Sequence, residues 1–318
     1  FYNWLIRHEH HWSEQVKPDE LILVCDVGGG TTDFTLIALR ASDGSPRFER
    51  IAVGDHLILG GDNIDLALAR RIEASLSKKK LSLGGDRWKS LCHECRRAKE
   101  VILNEEAESK RITIVGKGGK LIGQTISLNL KRKHIEDTIL RGFFPLSDPE
   151  TGGKHTKRKG ITEFGLPYEQ DPAITRHLGR FLERHKKDIA GFLKRDRYAP
   201  DLILFNGGSL KSKVVQERIR AAIRHWFGEE DTTIPRVLEN TDPDLSVALG
   251  ASYYGLVKIG QGVRVGSGSA RAFYLGVQTS EVLEEKTSEV SKTSEVSSET
   301  SEVSSKAICL VERGLDEG

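Results

Sequence analysis

The sequence predicts an α/β fold, on three observations. Leu21-Ile-Leu-Val-Cys-Asp-Val27 is an apolar run closed by Gly28-Gly29-Gly30-Thr31-Thr32-Asp33, and a second run, Phe34 to Leu39, follows it. Apolar run, glycine turn, apolar run reads as strand, turn, strand. Asp201-Leu-Ile-Leu-Phe205 is a further buried strand that ends at Asn206-Gly207-Gly208-Ser209 and leads into a helix over Lys211 to Phe227. Between these, Ile64, Leu68, Ile72 and Leu76 recur every four residues, the spacing that puts apolar side chains on one face of a helix.

The remaining elements follow in order. Phe1 to Trp12 reads as a helix, Phe48 to Val53 as a third strand, and Trp88 to Leu103 as a helix. Arg111 to Val115 and Leu121 to Leu128 alternate well enough for a hairpin, and Lys131 to Phe144 returns to helical spacing. Residues 147–170, rich in Gly, Pro, Lys and Asp, read as a loop, and Pro172 to Phe192 as a helix. Asp242-Pro243-Asp244 is the expected cap of a helix that runs through Tyr254. Copies of Thr-Ser-Glu-Val starting at Thr279, Thr287, Thr293 and Thr300 carry too little apolar surface to offset ordering entropy, so 279–305 is expected to be a low-complexity linker. Ala272 to Gln278 and Ala307 to Val311 flank it as short strands.

Composition narrows the function classes. The 318 residues carry a formal charge of +2, which removes the electrostatic footprint of a nucleic-acid binder. No stretch approaches the ~20 apolar residues of a membrane helix. Four cysteines do not make a disulfide scaffold, so a cytoplasmic setting is expected. There is no methionine, and the chain opens at Phe1 within the first expected helix. Both point to a fragment, with methionines replaced or omitted; intact mass distinguishes the two.

Two segments suit phosphate. Three glycines after a strand remove the Cβ atoms that would keep a polyphosphate from the backbone, and their N–H groups can converge on anionic oxygens. Asp26 and Asp33, on either side of that turn, suit a hydrated Mg2+, which takes few carboxylates plus waters and phosphates. A tight hairpin with a polar tip fits the same residues. Asn206-Gly207-Gly208-Ser209 adds N–H groups at a helix start, where anions or ribose hydroxyls are favoured.

Together these residues resemble a family. Asp26-Val-Gly-Gly-Gly-Thr-Thr-Asp33 is similar to the second phosphate motif of the heat-shock protein 70 (DnaK-type) chaperones, in the actin and sugar-kinase superfamily. Gly54-Asp55 through Leu59-Gly60-Gly61-Asp62-Asn63-Ile64-Asp65 and Cys95-Arg-Arg-Ala-Lys99 resemble later segments of that family. So do Asn206-Gly-Gly-Ser209 and Asp242-Pro-Asp244 to Gly250-Ala251, and all five stand in family order across residues 21–255.

The resemblance implies an actin-like ATPase (ribonuclease H-like) lobe with an inserted α+β subdomain. Residues 1–16 would be a connecting helix, 17–54 and 196–258 the sheet subdomain, 55–195 the insertion, and 259–318 a linker with the start of a substrate-binding region. It implies ATP or ADP with Mg2+, client polypeptides, a possible co-chaperone or exchange factor, and no nucleic acid or membrane. Asp26 and Asp33 would be the catalytic and metal-holding pair. Gly28, Gly29, Gly30 and Thr31 would meet the phosphates, Lys99 the ribose, and Gly207, Gly208 and Ser209 the adenosine side, with Asp244 at the rear. Arg96 and Lys211 complete the nucleotide-contacting set, although both depart from the family, which has an acidic residue and an arginine there. Glu100 and Leu103 stand where the family has arginine and serine. A carboxylate cannot stack as a guanidinium does, so adenine selectivity changes more than the phosphate site. Gly142-Phe-Phe-Pro-Leu146 and the basic excursion after it resemble a divergent bacterial branch.

The family's first phosphate motif and its lobe I lysine and glutamate have no match, so this chain alone is expected to show no ATP turnover. A pseudo-ATPase interaction module is the alternative, and a sugar kinase is disfavoured by the motif order. Cys92-His93-Glu94-Cys95 has no second pair, so buried thiols are expected over zinc. His8, His10 and His11 read as a solvated cluster, and Lys154 to Lys159 as a solvated basic loop.

Overall fold

A computed structural model describes residues 1–42, 45–78, 83–105, 107–114, 125–149, 169–228, 234–266, 273–280 and 303–311. It is mixed α/β. Two compact units divide the chain, Phe1–Val265 and Gly266–Gly318.

The first unit is built on a sheet whose centre is β1 (Leu21–Val27). β1 pairs antiparallel with β2 (Thr32–Ser42), which pairs antiparallel with β3 (Ser45–Val53). On its other side β1 pairs in parallel with β6 (Leu202–Asn206), and β6 in parallel with β7 (Arg236–Leu238). The short β8 (Val265–Gly266) lies at the β3 edge, giving the order β7-β6-β1-β2-β3-β8.

Alternation explains why β1 is apolar throughout. Successive side chains of a strand point to opposite faces. Leu21, Leu23, Cys25 and Val27 enter one core, while Ile22 and Val24 enter the other. Ile203 and Phe205 of β6 join the first, Leu202 and Leu204 the second. The first core is covered by α6 (Ile174–Arg184), through Ile174, Leu178, Phe181 and Leu182. α8 (Lys213–Phe227) covers it through Val215, Ile219 and Ile223. Trp4 and Leu5 of α1 (Tyr2–His8) and Tyr253 of α9 (Ser246–Lys258) cover the second. A strand buried on both faces needs no polar alternation.

Between β3 and β6 the chain forms α3 (Gly61–Lys78) and α4 (Gly85–Asn104). The hairpin of β4 (Ser109–Ile114) and β5 (Ile126–Lys131) follows, then α5 (Arg132–Gly142), α6 and α7 (Lys186–Leu193). Ile64, Leu68, Ile72 and Leu76 are all buried along α3, as the four-residue spacing requires.

Several elements differ from the sequence expectation. The first helix stops at His8, and α2 (Trp12–Gln15) is separate from it. His8 is half-buried, its ring stacked on Trp4 at 4.8 Å, so it is not part of a solvated cluster. The helix expected over Pro172 to Phe192 is broken at His185, whose backbone (φ −100°, ψ 8°) leaves the helix and whose ring meets Asp188 at 2.8 Å. The second hairpin strand begins at Ile126, and 115–124 lie outside the described residues. Asp242 does not cap α9, which begins at Ser246. The acids of that turn are spent elsewhere, Asp242 on Arg7 at 3.7 Å and Asp244 on Lys211, while Asp242 C=O accepts from Ser246 Oγ at 3.1 Å.

The second unit contains an antiparallel hairpin of β9 (Phe273–Ser280) and β10 (Val303–Val311). Thr279, Ser280 and Val303 to Ser305, expected in the linker, are strand residues paired as Val303 with Ser280 and Ser304 with Thr279. A ladder of main-chain bonds needs no apolar side chain, and Val, Thr and their like suit strands. The central repeats (281–302) and the basic loop Lys154 to Lys159 lie outside the described residues.

Candidate nucleotide site

The glycine turn between β1 and β2 is fastened to two other segments. Gly28 C=O accepts from Gly61 N–H at 3.0 Å and from Ser209 Oγ at 2.9 Å, and Gly29 C=O accepts from Asp62 N–H at 2.7 Å. The first turn of α3 and the Gly207–Ser209 turn therefore both close on the same few atoms. Gly60 permits this approach: a Cβ there would lie 2.6 Å from Gly29 O. Asn63 Oδ1 accepts from Gly60 N–H at 2.8 Å, a third-position side chain reaching back to the helix start. The Gly61 and Asp62 N–H groups are thus consumed by the glycine turn and do not face an anion.

Asp26 and Asp33 are opposite each other in the β1–β2 register, and Asn206 is opposite Asp26 in the β1–β6 register. Burial, and then the neighbouring Asp33 charge, push the Asp26 carboxyl above its usual range. Asp33 Oδ1 meets His56 Nδ1 at 2.8 Å. Gly207 (φ +82°) lies against Asp26: a Cβ there would be 2.8 Å from Asp26 Oδ1 and 2.3 Å from Val27 O, so only glycine fits.

A cleft of about 430 Å³ opens beside this turn, within the size range of small-molecule sites. Gly29, Arg96, Lys99, Gly208, Ser209, Lys211 and Asp244, all expected from the sequence, line it together. Asp26, Gly28, Gly30, Thr31, Asp33 and Gly207 do not line it; they form the strand ends and turns next to Gly29 and Gly208. Its lining also includes apolar Ile64, Leu103, Ile139 and Val215, with Glu100 and Ser212.

Sequence reasoning found Asp244 but missed Asp62, Asp65 and Glu100 as lining residues of the cleft. Lys99 Nζ lies 2.7 Å from Asp65 Oδ1, a pair in which the side chains are 10% and 5% exposed. Arg96 Nε donates to Asp65 Oδ2 at 3.0 Å, and Arg96 also pairs with Asp62. Lys211 pairs with Asp244. Each cleft cation expected to meet nucleotide is already matched by an acid of the chain. Four carboxylates (Asp62, Asp65, Glu100, Asp244) face three cations (Arg96, Lys99, Lys211) in the lining. The signal was Asp62 and Asp65, three residues apart on the first turn of a glycine-led helix, where they share one face.

The donor set around Asp26 fits Mg2+ as opposed to an all-protein metal cage. Burial and then the Asp33 charge across the register raise the cost of ionising Asp26, which a divalent cation relieves. Among the described residues no group of three or more His, Cys, Asp or Glu could hold a metal. Mg2+ typically takes one or two carboxylates with phosphates and waters. Cys95 is buried, which pushes its thiol up to about 12.

Comparison with known proteins finds one family to which the chain is similar. A family model described as Hsp70 protein matches residues 13–143, which carry the glycine turn, the Gly60-Gly61-Asp62 helix start and Lys99. The chaperone protein DnaK of Psychrobacter cryohalolentis is 26% identical over 275 residues, 84% of this chain and 34% of that protein. The chaperone protein DnaK of Carsonella ruddii is 26% identical over 185 residues, 55% of this chain and 31% of that protein. Residues 13–143 are therefore similar to the Hsp70 family, and the DnaK relatives extend that likeness along the chain. It spans about a third of the length of the curated relatives it matches. The Hsp70 fold is actin-like, which agrees with the mixed sheet. Among the described residues no helix is long and apolar enough to cross a membrane.

Proposed function

We propose that this chain is a nucleotide-holding lobe of an Hsp70-type molecular chaperone. It binds ATP or ADP with Mg2+ in the cleft beside the glycine turn, and in the intact protein hydrolysis is coupled to binding of client polypeptides in the cytoplasm. One observation carries the reading. Three segments far apart in sequence, the β1–β2 turn, the start of α3 and the Gly207–Ser209 turn, close on Gly28 at the end of a nucleotide-sized cleft. The names of the curated relatives agree with it. In this reading residues 17–54 and 196–258 form the ribonuclease H-like sheet subdomain and 55–195 the inserted one.

The roles follow from chemistry. Asp26 and Asp33 would hold Mg2+ through its waters; the ion supplies charge neutralisation on the phosphate oxygens. Asp26, on a strand end and packed against Gly207, orients a water. Gly29, Gly30 and Thr31 present backbone to the phosphates, Lys99 faces the ribose, and Arg96, Gly208, Ser209, Lys211 and Asp244 form the walls. Phosphoryl transfer asks a protein mainly for positioning and charge stabilisation. The excess of acids in the lining makes the cation indispensable, because a polyphosphate entering without it meets unbalanced carboxylates.

The same acids favour a second reading, an interaction module with little affinity for nucleotide, since Glu100 and the paired Arg96 and Lys211 offer no free cation to a base. Calorimetric titration of the intact protein with MgATP separates the two. Saturable binding in the micromolar range is expected; none up to millimolar nucleotide would leave the module reading in its place.

A further inference from the structure

One side chain outside the cleft ties its rear turn to two helices. Asn240 sits in the loop between β7 and α9. Its Nδ2 group shares two N–H donors among Phe205 C=O at 3.1 Å, Asn206 Oδ1 at 2.6 Å and Ser246 Oγ at 3.0 Å. Its Oδ1 accepts from Asn3 Nδ2 at 3.1 Å and from Asp242 N–H at 3.3 Å. Asn3 Nδ2 donates in turn to Ser246 Oγ at 3.1 Å, which closes the network. Asn3, Asn206 and Ser246 are buried. Buried polar groups joined this way hold one arrangement, because each broken bond strands a desolvated partner.

The position of this network gives it a consequence for the site. Asn206 is the last residue of β6 and the register partner of Asp26. Immediately after it Gly207 turns at φ +82°, close enough to Asp26 Oδ1 and Val27 O that no Cβ fits. Beyond Asn206 the β1–β6 ladder has ended, so side-chain bonds must fix where the turn rests. Asn240 grips the turn at Phe205 and Asn206, and is itself gripped by Asn3 of α1 and joined to Ser246 of α9.

We propose that Asn240 is a positioning residue. It holds the Asn206–Gly207 turn against the Asp26 carboxylate and fixes that turn to the α1–α9 pair. The catalytic meaning rests on the nucleotide reading of the cleft; the tether does not. A purely structural asparagine would affect overall stability, whereas a positioning one acts on the turn and on the chemical step.

The test uses Asn240→Ala and Asn240→Asp in the intact protein. The second variant keeps the size but replaces the amide donor with a carboxylate beside Asn206 Oδ1, so it answers if the first fails to fold. In the free protein, amides at 205–208 are expected to exchange about tenfold faster while those of β1 and β2 keep their rates. At saturating MgATP, single-turnover hydrolysis is expected to fall about tenfold, because a loosened contact is felt in the transition state after binding is complete. Unchanged exchange at 205–208 overturns the tether. Faster exchange with unchanged saturated hydrolysis overturns the positioning role. A wild-type protein that binds no nucleotide overturns the cleft reading and the positioning role with it, while the exchange result still decides the tether.

Discussion

At the β1–β2 turn beside the cleft, two carboxylates are opposite each other in the strand register and burial keeps Asp26 reluctant to ionise. At the α3–α4 end, Asp65 is more deeply buried yet meets Lys99 and Arg96. The contrast separates two jobs that the sequence lists side by side. The α3–α4 end satisfies its own charges and so contributes to the fold whether or not a ligand is present. At the β1–β2 turn burial and the Asp33 charge disfavour an ionised Asp26, which a cation would relieve, as the proposed Mg2+ role requires.

The sharpest break of this comparison is at the satisfied end. Lys99→Met leaves Asp65 buried beside the half-exposed Arg96 alone, and is expected to cost about 3 kcal/mol of unfolding free energy, read from urea titration. Adding Asp65→Leu should recover much of that loss, since a pair removed together leaves no stranded charge. At the glycine-turn end, Gly207→Ala forces a Cβ onto Val27 O at a positive φ, and is expected to cost about 2 kcal/mol by the same measurement. The smallest effect belongs to Arg96→Ala. Its side chain is 46% exposed, so stability should change by less than about 1 kcal/mol, while MgADP affinity, measured by calorimetry, should fall as Asp62 and Asp65 lose a counter-charge.

How much was legible in the sequence follows the same division. Strands β1, β2, β3 and β6 and the α3 face were readable because period and burial agree, whereas the short β7 and β8 carry too few residues to show a period. The glycine turns were readable from composition alone, while the positions that need glycine, Gly60 and Gly207, where a Cβ would lie 2.6 Å and 2.3 Å from backbone oxygens, emerge from the packing. The Asp65–Arg96 contact was not readable, since it joins residues 31 apart through the packing of α3 on α4, which no local pattern encodes. The start of α9 was misread for a related reason. Asp242 and Asp244 look like caps in sequence, but Arg7 and Lys211, distant along the chain, claim them. Polar residues with several possible partners are decided by tertiary structure, whereas apolar periodicity is decided locally.

The claim that the β1–β2 end is held ready for a charged ligand can be tested at one residue. A carboxyl whose folded pKa is raised takes up its proton more readily in the fold than in the unfolded chain. Its charged form therefore subtracts stability above the folded pKa, and the loss is recovered as pH falls toward the unfolded value of about 3.9. Asp26→Asn removes that charge. Thermal unfolding of the variant and the wild type, each free and with MgADP at pH 7, puts the claim to a sign test. The account predicts that the variant melts higher than wild type when free, that this advantage shrinks as the pH is lowered toward 4, and that MgADP raises its melting temperature less. A variant that melts lower than wild type when free, or that gains as much from MgADP, would contradict it.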